Sequence, residues 1–524
     1  MSSITASQTV AAHIMVSLHK LGVNQVFISP GARSQALTIA AMQLEKAGLL
    51  TTHVRVDERS AGFQALGASL ASGRPVAVIT TSGTAVANLH PAILEASHAG
   101  VPLIALTSDR PMELRGVGAN QTTNQLGLFA DAVRACVAIE APPIETAQHY
   151  AEESVVRAMT AALGLRTGKP GPVQLNVALR DPLSSLEPNA TMIDSNAVLP
   201  VIEPPAPDIA EISAGTQTLI LAGAGAGPAA TRAAEAGGWP LLAEPSSGAR
   251  FGSNAINNYR LVLAQRPELA ADIKKVIVYG KPTLSRHAIA LLFRPDIEVT
   301  VVRNVEYGFF DISRRALRFV TAVAPQGAPL VGWLDAWKDA AREVAVSRSA
   351  VGLDRQAVIK SVWAATESRD ALVLGASRLI RDAENWASRK DLRVFANRGL
   401  AGIDGTIATG LGVAAVSDPA SRTRVLLGDL AFLHDVGSLV AGEREPNLQV
   451  IVVNDHGGSI FESLEVTQHV EKEDFERFFS AGKDFEISAL AAAFGWSYLR
   501  PNNEAELEAA LRTSGRVIIE VVPV

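Results

Sequence analysis

Two stretches, Val425-Leu426-Leu427-Gly428-Asp429-Leu430 and Val450-Ile451-Val452-Val453-Asn454-Asp455-His456-Gly457, decide how this chain reads. Each apolar run is short, β-branched or leucine-rich, and ends abruptly in Gly, Asp or Asn. That is the pattern of a buried parallel strand whose carboxyl end opens into a loop. In an open α/β sheet, ligands bind in the crevice outside those carboxyl ends. Two neighbouring strands of this kind bring Asp429 and Asp455 to one place, and Gly457 lets a bare backbone carbonyl approach as a third ligand. An all-oxygen set suits Mg²⁺, with Mn²⁺ as the alternative, because such ions keep their remaining positions for water and phosphate oxygens. Taken singly, either loop also reads as a strand-ending turn with a solvated aspartate; the pairing carries the metal reading.

The same alternation of short apolar runs and Ala- and Leu-rich helical stretches extends outward from this pair. Ala371-Leu372-Val373-Leu374 leads into Gly375-Ala376-Ser377, and Arg393-Val394-Phe395 into Asn397-Arg398-Gly399. A helix from Glu504 to Arg512 precedes a last strand, Val517 to Val521. Near the amino terminus, strands are predicted at Val26–Ser29, His53–Val56, Val76–Thr80 and Leu103–Leu106, with Val173–Val177 closing the sheet. The expected fold is α/β, with three domains that are each a mainly parallel sheet flanked by helices. Their expected limits are 1–185, 200–345 and 350–524, separated by Ile202-Glu203-Pro204-Pro205-Ala206-Pro207 and by a proline-bearing break at Ala324 to Pro329. Between these breaks, Gly223-Ala224-Gly225-Ala226-Gly227 reads as a tight structural turn rather than a dinucleotide loop.

Composition narrows the function classes. The chain has 524 residues, 48% of them apolar and 19% charged, with a net charge of −6. No basic face for nucleic acid or a membrane surface is implied by that balance. The start, Met1-Ser2-Ser3-Ile4, lacks the basic and apolar segments of a secretion signal, and no membrane-spanning run is expected, so a cytoplasmic location is anticipated. The single Cys136 excludes internal disulfides and thiolate clusters.

The Gly428-Asp429-Leu430 loop, followed one strand later by Asn454-Asp455-His456-Gly457, resembles the motif with which thiamine-diphosphate enzymes hold Mg²⁺ and the cofactor diphosphate. Such an enzyme also needs a carboxylic acid to hydrogen-bond the aminopyrimidine ring and favour its imino tautomer. Glu58 is the candidate, ending a strand and opening a helix rich in Ala and Gly; Asp57 and Glu58 also read as simple helix caps. With Ser29-Pro30-Gly31-Ala32-Arg33-Ser34, Asp57-Glu58-Arg59-Ser60-Ala61-Gly62, Thr81-Ser82-Gly83-Thr84-Ala85, Asp109-Arg110-Pro111 and Gly118-Ala119-Asn120-Gln121 added, the chain resembles one family in particular. It is the MenD family, the 2-succinyl-5-enolpyruvyl-6-hydroxy-3-cyclohexene-1-carboxylate synthases. Ser377 with Arg381, Asn397-Arg398-Gly399, Gly402-Ile403-Asp404-Gly405 and Gly458-Ser459-Ile460-Phe461 carry the resemblance through the last domain.

That resemblance implies a pyrimidine-binding domain first, a diphosphate-binding domain last, and a homodimer or dimer of dimers with active sites between subunits. Glu58 of one subunit is then expected to face Asp429, Asp455 and the Gly457 carbonyl of another, with Ile403 as an apolar wedge under the cofactor. The implied reaction decarboxylates 2-oxoglutarate and adds the carbanion equivalent to isochorismate in a 1,4 addition, in menaquinone biosynthesis. Both substrates are dicarboxylates, which arginine recognises in a planar, bidentate way. Arg33, Arg110, Arg381 and Arg398 lie at predicted strand ends; the family match adds Gln121, Ser377, Ile460 and Phe461 as substrate contacts, and Arg286 from the central domain. Three departures stand out: Ala32 where a serine is common, Asp455 where asparagine is commoner, and Ser285 before Arg286 where adjacent basic residues are found. Residues 462–485 read either as a lid or as an amphipathic surface helix. Two alternatives stay open at this point. One is another thiamine-diphosphate-dependent 2-oxo acid decarboxylase or carboligase of the acetolactate-synthase kind, the other a non-catalytic α/β binding protein.

Overall fold

The computed structural model describes residues 4–185, 194–203, 206–303, 309–346, 352–440, 442, 446–463 and 465–524. Pro204 and Pro205 of the expected linker lie outside the described residues. The first sheet contains β1 (Gln25–Ile28), β2 (Thr51–Val54), β3 (Val76–Thr80), β4 (Leu103–Asp109), β5 (Cys136–Glu140) and β6 (Val173–Ala178), in the order β2-β1-β3-β4-β6-β5. A two-stranded sheet follows, made of β7 (Ile209–Ser213) and β13 (Ala322–Gln326). It flanks a five-stranded one of β8 (Thr218–Ala222), β9 (Leu241–Ala243), β10 (Lys275–Tyr279), β11 (Glu298–Val302) and β12 (Ala316–Val320), ordered β12-β11-β10-β8-β9. The last sheet has β14 (Ala371–Leu374), β15 (Arg393–Phe395), β16 (Thr423–Gly428), β17 (Leu448–Val453), β18 (Ser497–Leu499) and β19 (Arg516–Val521), ordered β15-β14-β16-β17-β19-β18.

Every strand pairing in these sheets is parallel. Strands such as Val76-Ala77-Val78-Ile79-Thr80 and Leu448 to Val453 are buried along their whole length, which is why they read as continuous apolar runs. The first and last sheets share one strand order, second-first-third-fourth-sixth-fifth, although their sequences show no repeat. One expectation is corrected. Val173–Val177 does not close the first sheet, because β5 adds outside β6. In the last sheet β19 is likewise interior, covered by the short strand β18. Both edge strands are brief or alternate in burial, so they lack the apolar run that marks the interior strands.

The glycine-rich turn at 223–227 is structural, as expected. Gly223 packs so tightly on Lys281-Pro282 that a Cβ would overlap the backbone there, and Pro228 occupies the first turn of the helix Pro228–Gly237. The first and last sheets are joined by two crossing helices, Glu58–Ser72 and Thr406–Ala415. A Cβ on Gly67 would collide with the Thr409 carbonyl and one on Gly412 with the Gln64 carbonyl, so the backbones touch where both helices carry glycine. Arg250, fully buried, ties the central sheets to the last by donating to the carbonyls of Ala387 (2.6 Å) and Glu384 (3.1 Å). No described helix is long and apolar enough to cross a membrane.

Gly412→Ala is expected to destabilise the fold by about 1–3 kcal/mol, the usual cost of overpacking a closed contact. Thermal unfolding of the full chain checks this: the midpoint should drop by several degrees, whereas alanine at Gly127, where a Cβ would meet only the Asn124 side chain at 3.9 Å, should cost less.

Candidate active site

In the last sheet the strand order reverses between β14 and β16, and a cavity opens at their carboxyl ends. Such a switch point splays the two outgoing loops apart and leaves a crevice. Gly375 and Ser377 enter it from β14, Gly428, Asp429 and Leu430 from β16, and Asp455 and Gly457 from β17. Register explains the meeting of the aspartates: Gly428 pairs with Val453, so both loops leave the sheet at one level. Ile403, Ile460 and Phe461 complete an apolar wall.

Asp429 opens the helix Asp429–His434 and is 1% exposed, and its Oδ2 is buried without a hydrogen-bond partner. Burial first, and then the charge of Asp455, raise its pKa to about 6, while backbone N–H groups including those of Leu430 and Gly457 oppose the rise. A buried carboxylate with an orphaned oxygen beside a second carboxylate is a place for a cation. Gly457 has φ 147°, a Cβ there would strike the Ser480 side chain, and its carbonyl accepts from Ser459 N at 3.0 Å, which leaves its second lone pair. Among the described residues no group of three or more His, Cys, Asp or Glu side chains could hold a metal, and the expected third oxygen, the Gly457 carbonyl, belongs to the backbone. These residues therefore fit a hard cation held by two carboxylates. Asn454 turns the other way, donating to Glu520 at 2.7 Å.

A second group surrounds Arg398. Its guanidinium is 5% exposed and donates to the Thr283 hydroxyl at 2.6 Å, while Nε and Nη1 are buried with no partner. Arg381 donates to the Ser377 carbonyl at 2.7 Å; burial, then the nearby Arg398, hold its pKa down, with Arg260 and Arg286 contributing. Four arginines thus share one electrostatic neighbourhood, and Arg286 belongs to it. Lys281 donates to the Gly399 carbonyl at 2.7 Å, and the buried Glu95 carboxylate accepts from the Gly399 and Leu400 amides at 2.6 and 2.7 Å.

The third group lies on the first sheet. Arg110 donates to the Ser82 hydroxyl and to the Gln121 carbonyl (3.1 Å), and the Gln121 amide donates to the Ser82 carbonyl at 2.9 Å. Gln121 has φ 54°, held there by these bonds. Arg33 donates to the Leu179 carbonyl at 3.1 Å, and its Nε is buried without a partner. Burial and the charge of Arg33 lower the Arg110 pKa, so the two cations are close. Asp57 alone caps the helix Glu58–Ser72, accepting from Arg59 N and Ser60 N. Glu58 is left to accept from the Asn88 amide at 3.3 Å.

Within one chain the Arg398 group adjoins the cavity through Ser377, whose carbonyl accepts from Arg381, while the first-sheet group stays apart from it. The cavity beside Asp429 is lined by none of Glu58, Arg33, Arg110 and Gln121. Arg59, next to Glu58, donates to the His434 carbonyl at 3.0 Å, at the opposite end of the helix that Asp429 begins. Sequence reasoning missed Arg260, Arg355 and Arg378. Arg378 adjoins Ser377 and could have been found from that loop; Arg260 and Arg355 stand in the first turns of helices with no local signal. The segment 462–485 is not one amphipathic helix. Its described part breaks into short turns, and the Ser480 carbonyl accepts from Gly458 N at 2.7 Å, packing it under the loop that carries Asp455. Cys136 is a half-buried thiol whose pKa burial raises, which does not suit a nucleophile.

The fold and the two carboxylate loops at a switch point define an α/β enzyme of the thiamine-diphosphate class. Residues 8–128 match the family described as thiamine pyrophosphate enzyme, N-terminal TPP binding domain, and residues 381–521 the corresponding C-terminal TPP binding domain. The chain is 45% identical to the 2-succinyl-5-enolpyruvyl-6-hydroxy-3-cyclohexene-1-carboxylate synthase of Kineococcus radiotolerans, over 98% of this chain and 96% of that protein. It is 41% identical to the protein of the same name from Leifsonia xyli, over 98% and 95%. The chain belongs to the 2-succinyl-5-enolpyruvyl-6-hydroxy-3-cyclohexene-1-carboxylate synthase family.

One buried acid sets a pH dependence. Glu244 accepts from Thr283 N and Leu284 N at 2.5 and 2.7 Å, and so holds the loop on which Arg398 rests. Burial, then the charge of Glu384, raises its pKa to about 8. The folded state then binds more protons than the unfolded one between the ordinary carboxyl range and that value, so stability falls as pH rises through this window. Glu244→Gln keeps the accepting oxygen and removes the titration. In denaturant unfolding at several pH values, it is expected to match the parent in acid and to exceed it above about pH 8.

Proposed function

We propose that this chain catalyses the thiamine-diphosphate-dependent decarboxylation of 2-oxoglutarate and the 1,4-addition of the remaining succinyl unit to isochorismate. The product is 2-succinyl-5-enolpyruvyl-6-hydroxy-3-cyclohexene-1-carboxylate, on the route to menaquinone. The observation that carries this reading is Arg398, buried beside Arg381 with two donor atoms unpartnered. A buried cation with idle donors favours a carboxylate ligand, and clustered arginines favour a ligand with more than one. The relatives' printed name, which is that of this synthase, supports the same reading.

Bound thiamine diphosphate supplies the nucleophilic carbon and electron sink that the decarboxylation needs. Asp429, Asp455 and the Gly457 carbonyl would hold Mg²⁺, or Mn²⁺ in its place, and the backbone of Gly428 and Leu430 would face the diphosphate. Glu58 would hold the aminopyrimidine by a hydrogen bond and serve as the proton-relaying acid. Ile403, an apolar side chain 38% exposed in the single chain, supports the cofactor rings. Arg381, Arg398 and Arg286 bind one set of carboxylates and Arg33 and Arg110 another; Ser377 and Gln121 add neutral hydrogen bonds, and Ile460 and Phe461 exclude water. The separation of Glu58 from the cavity beside Asp429 supports a site shared between subunits, in a homodimer or a dimer of such dimers. On this reading residues 1–185 bind the pyrimidine, 200–345 form the central domain and 350–524 bind the diphosphate, in a cytoplasmic enzyme.

The test is CO₂ release from 2-oxoglutarate by purified protein with thiamine diphosphate and Mg²⁺, with loss of isochorismate absorbance followed alongside. Isochorismate-dependent turnover that vanishes without the cofactor is expected; release from pyruvate alone overturns the substrate assignment. Glu58→Gln should lower kcat by about 10²–10⁴-fold, the usual worth of a positioned acid or base, with cofactor affinity little changed. Arg398→Gln should raise KM for a substrate about tenfold or more, since a charge-assisted hydrogen bond contributes about 1.5–3 kcal/mol.

A further inference from the structure

Asp455 differs from Asp429 in having a cationic partner. Arg355 opens the helix Arg355–Ala365, whose start is fixed by Asp354 accepting from Ala357 N at 2.8 Å. From there its Nη1 donates to Asp455 Oδ2 at 3.1 Å, and its Nε lies 3.5 Å from Asp382 Oδ2. Asp382 is nearly fully buried, and its other oxygen accepts from Arg378 Nε at 3.4 Å; Arg378 in turn donates to the Ser459 carbonyl at 3.1 Å. Charges thus alternate from Arg378 through Asp382 and Arg355 to Asp455, and three of these four residues line the cavity with Asp429.

Electrostatics gives this row a purpose. A metal oxygen at position 455 could come equally from a neutral amide. A carboxylate adds a full negative charge at a place where Asp429 and an incoming diphosphate are already negative, and at short range in a partly dry site such repulsion is large. Arg355 removes it by pairing with one oxygen of Asp455 and leaving the other outside that bond. The pairing also selects the orientation of a side chain that otherwise has two equivalent oxygens.

We propose that Arg355 is a positioning residue for the metal and diphosphate site, offsetting the charge of Asp455 so that the site accepts a polyanion as well as a cation. This rests on the cofactor reading given above. Removing Arg355 then acts with opposite signs on the two ligands: the site becomes more negative, which favours the bare metal and disfavours the diphosphate.

Binding to the full-length protein tests this without turnover. Thiamine diphosphate is titrated calorimetrically in saturating Mg²⁺, and Mn²⁺ alone is titrated by electron paramagnetic resonance. Arg355→Gln is expected to weaken cofactor binding about tenfold and to tighten Mn²⁺ binding about threefold, as loss of one nearby positive charge dictates. Arg355→Lys keeps the charge and should stay within about threefold of the parent for both. In an Asp455→Asn background the cofactor penalty of Arg355→Gln should shrink to less than about threefold, since the two side chains act as a pair. Weakening of both ligands by Arg355→Gln, or an equal penalty in both backgrounds, overturns the proposal. Parent protein that binds no thiamine diphosphate in a Mg²⁺-dependent way overturns the cofactor reading itself, and is distinguishable because it needs no variant.

Discussion

Parallel strand pairing is the constraint on which this molecule depends. When every strand of a sheet runs the same way, every strand-end loop emerges at one edge, and only a reversal of strand order opens a crevice there. In the last sheet that reversal lies between β14 and β16, and the matching register of β16 with β17 brings Asp455 to the level of Asp429. The first sheet repeats the strand order, and its loops after β1 and β3 touch so closely that a Cβ on Gly31 would overlap Thr81. One topology used twice yields two loop-rich edges with different chemistry, one carrying Asp429 and Asp455, the other Arg33, Arg110 and Gln121.

What aligns the sheets is a small number of buried polar contacts. The segment after Arg398 is the clearest: Glu95 from the first sheet's helix layer accepts from the Gly399 and Leu400 amides, while Lys281 from the central layer donates to the Gly399 carbonyl. Buried polar groups of this kind are costly unless satisfied, so a shift of any layer leaves a charge or an amide unpaired. The glycine contact between helices Glu58–Ser72 and Thr406–Ala415 adds a steric lock, since no side chain intervenes to adjust. Arg398 is therefore held by three layers at once. Its idle donors persist because the surroundings fix it where it cannot reach another acceptor.

Much of the architecture was legible because burial on both faces leaves an unbroken apolar run, as in Val76–Thr80 and Leu448–Val453. The edge strands β5 and β18 were not, because an edge strand needs no such run. The same split holds for the site. Gly428-Asp429-Leu430 and Asn454-Asp455-His456-Gly457 announce themselves by where they stand, immediately after strands. Arg260 and Arg355 do not, since an arginine in the first turn of a helix has the same local pattern whether it faces solvent or a carboxylate.

The sequence by itself determined the strand-end loops, the residue types they carry and hence the α/β class. Those depend on short-range apolar periodicity and on turn chemistry, which are written in consecutive residues. The tertiary structure alone decided that Arg355 pairs with Asp455, that Glu95 and Lys281 grip one peptide, and that Asp57 rather than Glu58 caps its helix. Each of these turns on which of several like charges lies within about 3 Å of a given partner, a distance set by packing of remote segments and by no local pattern.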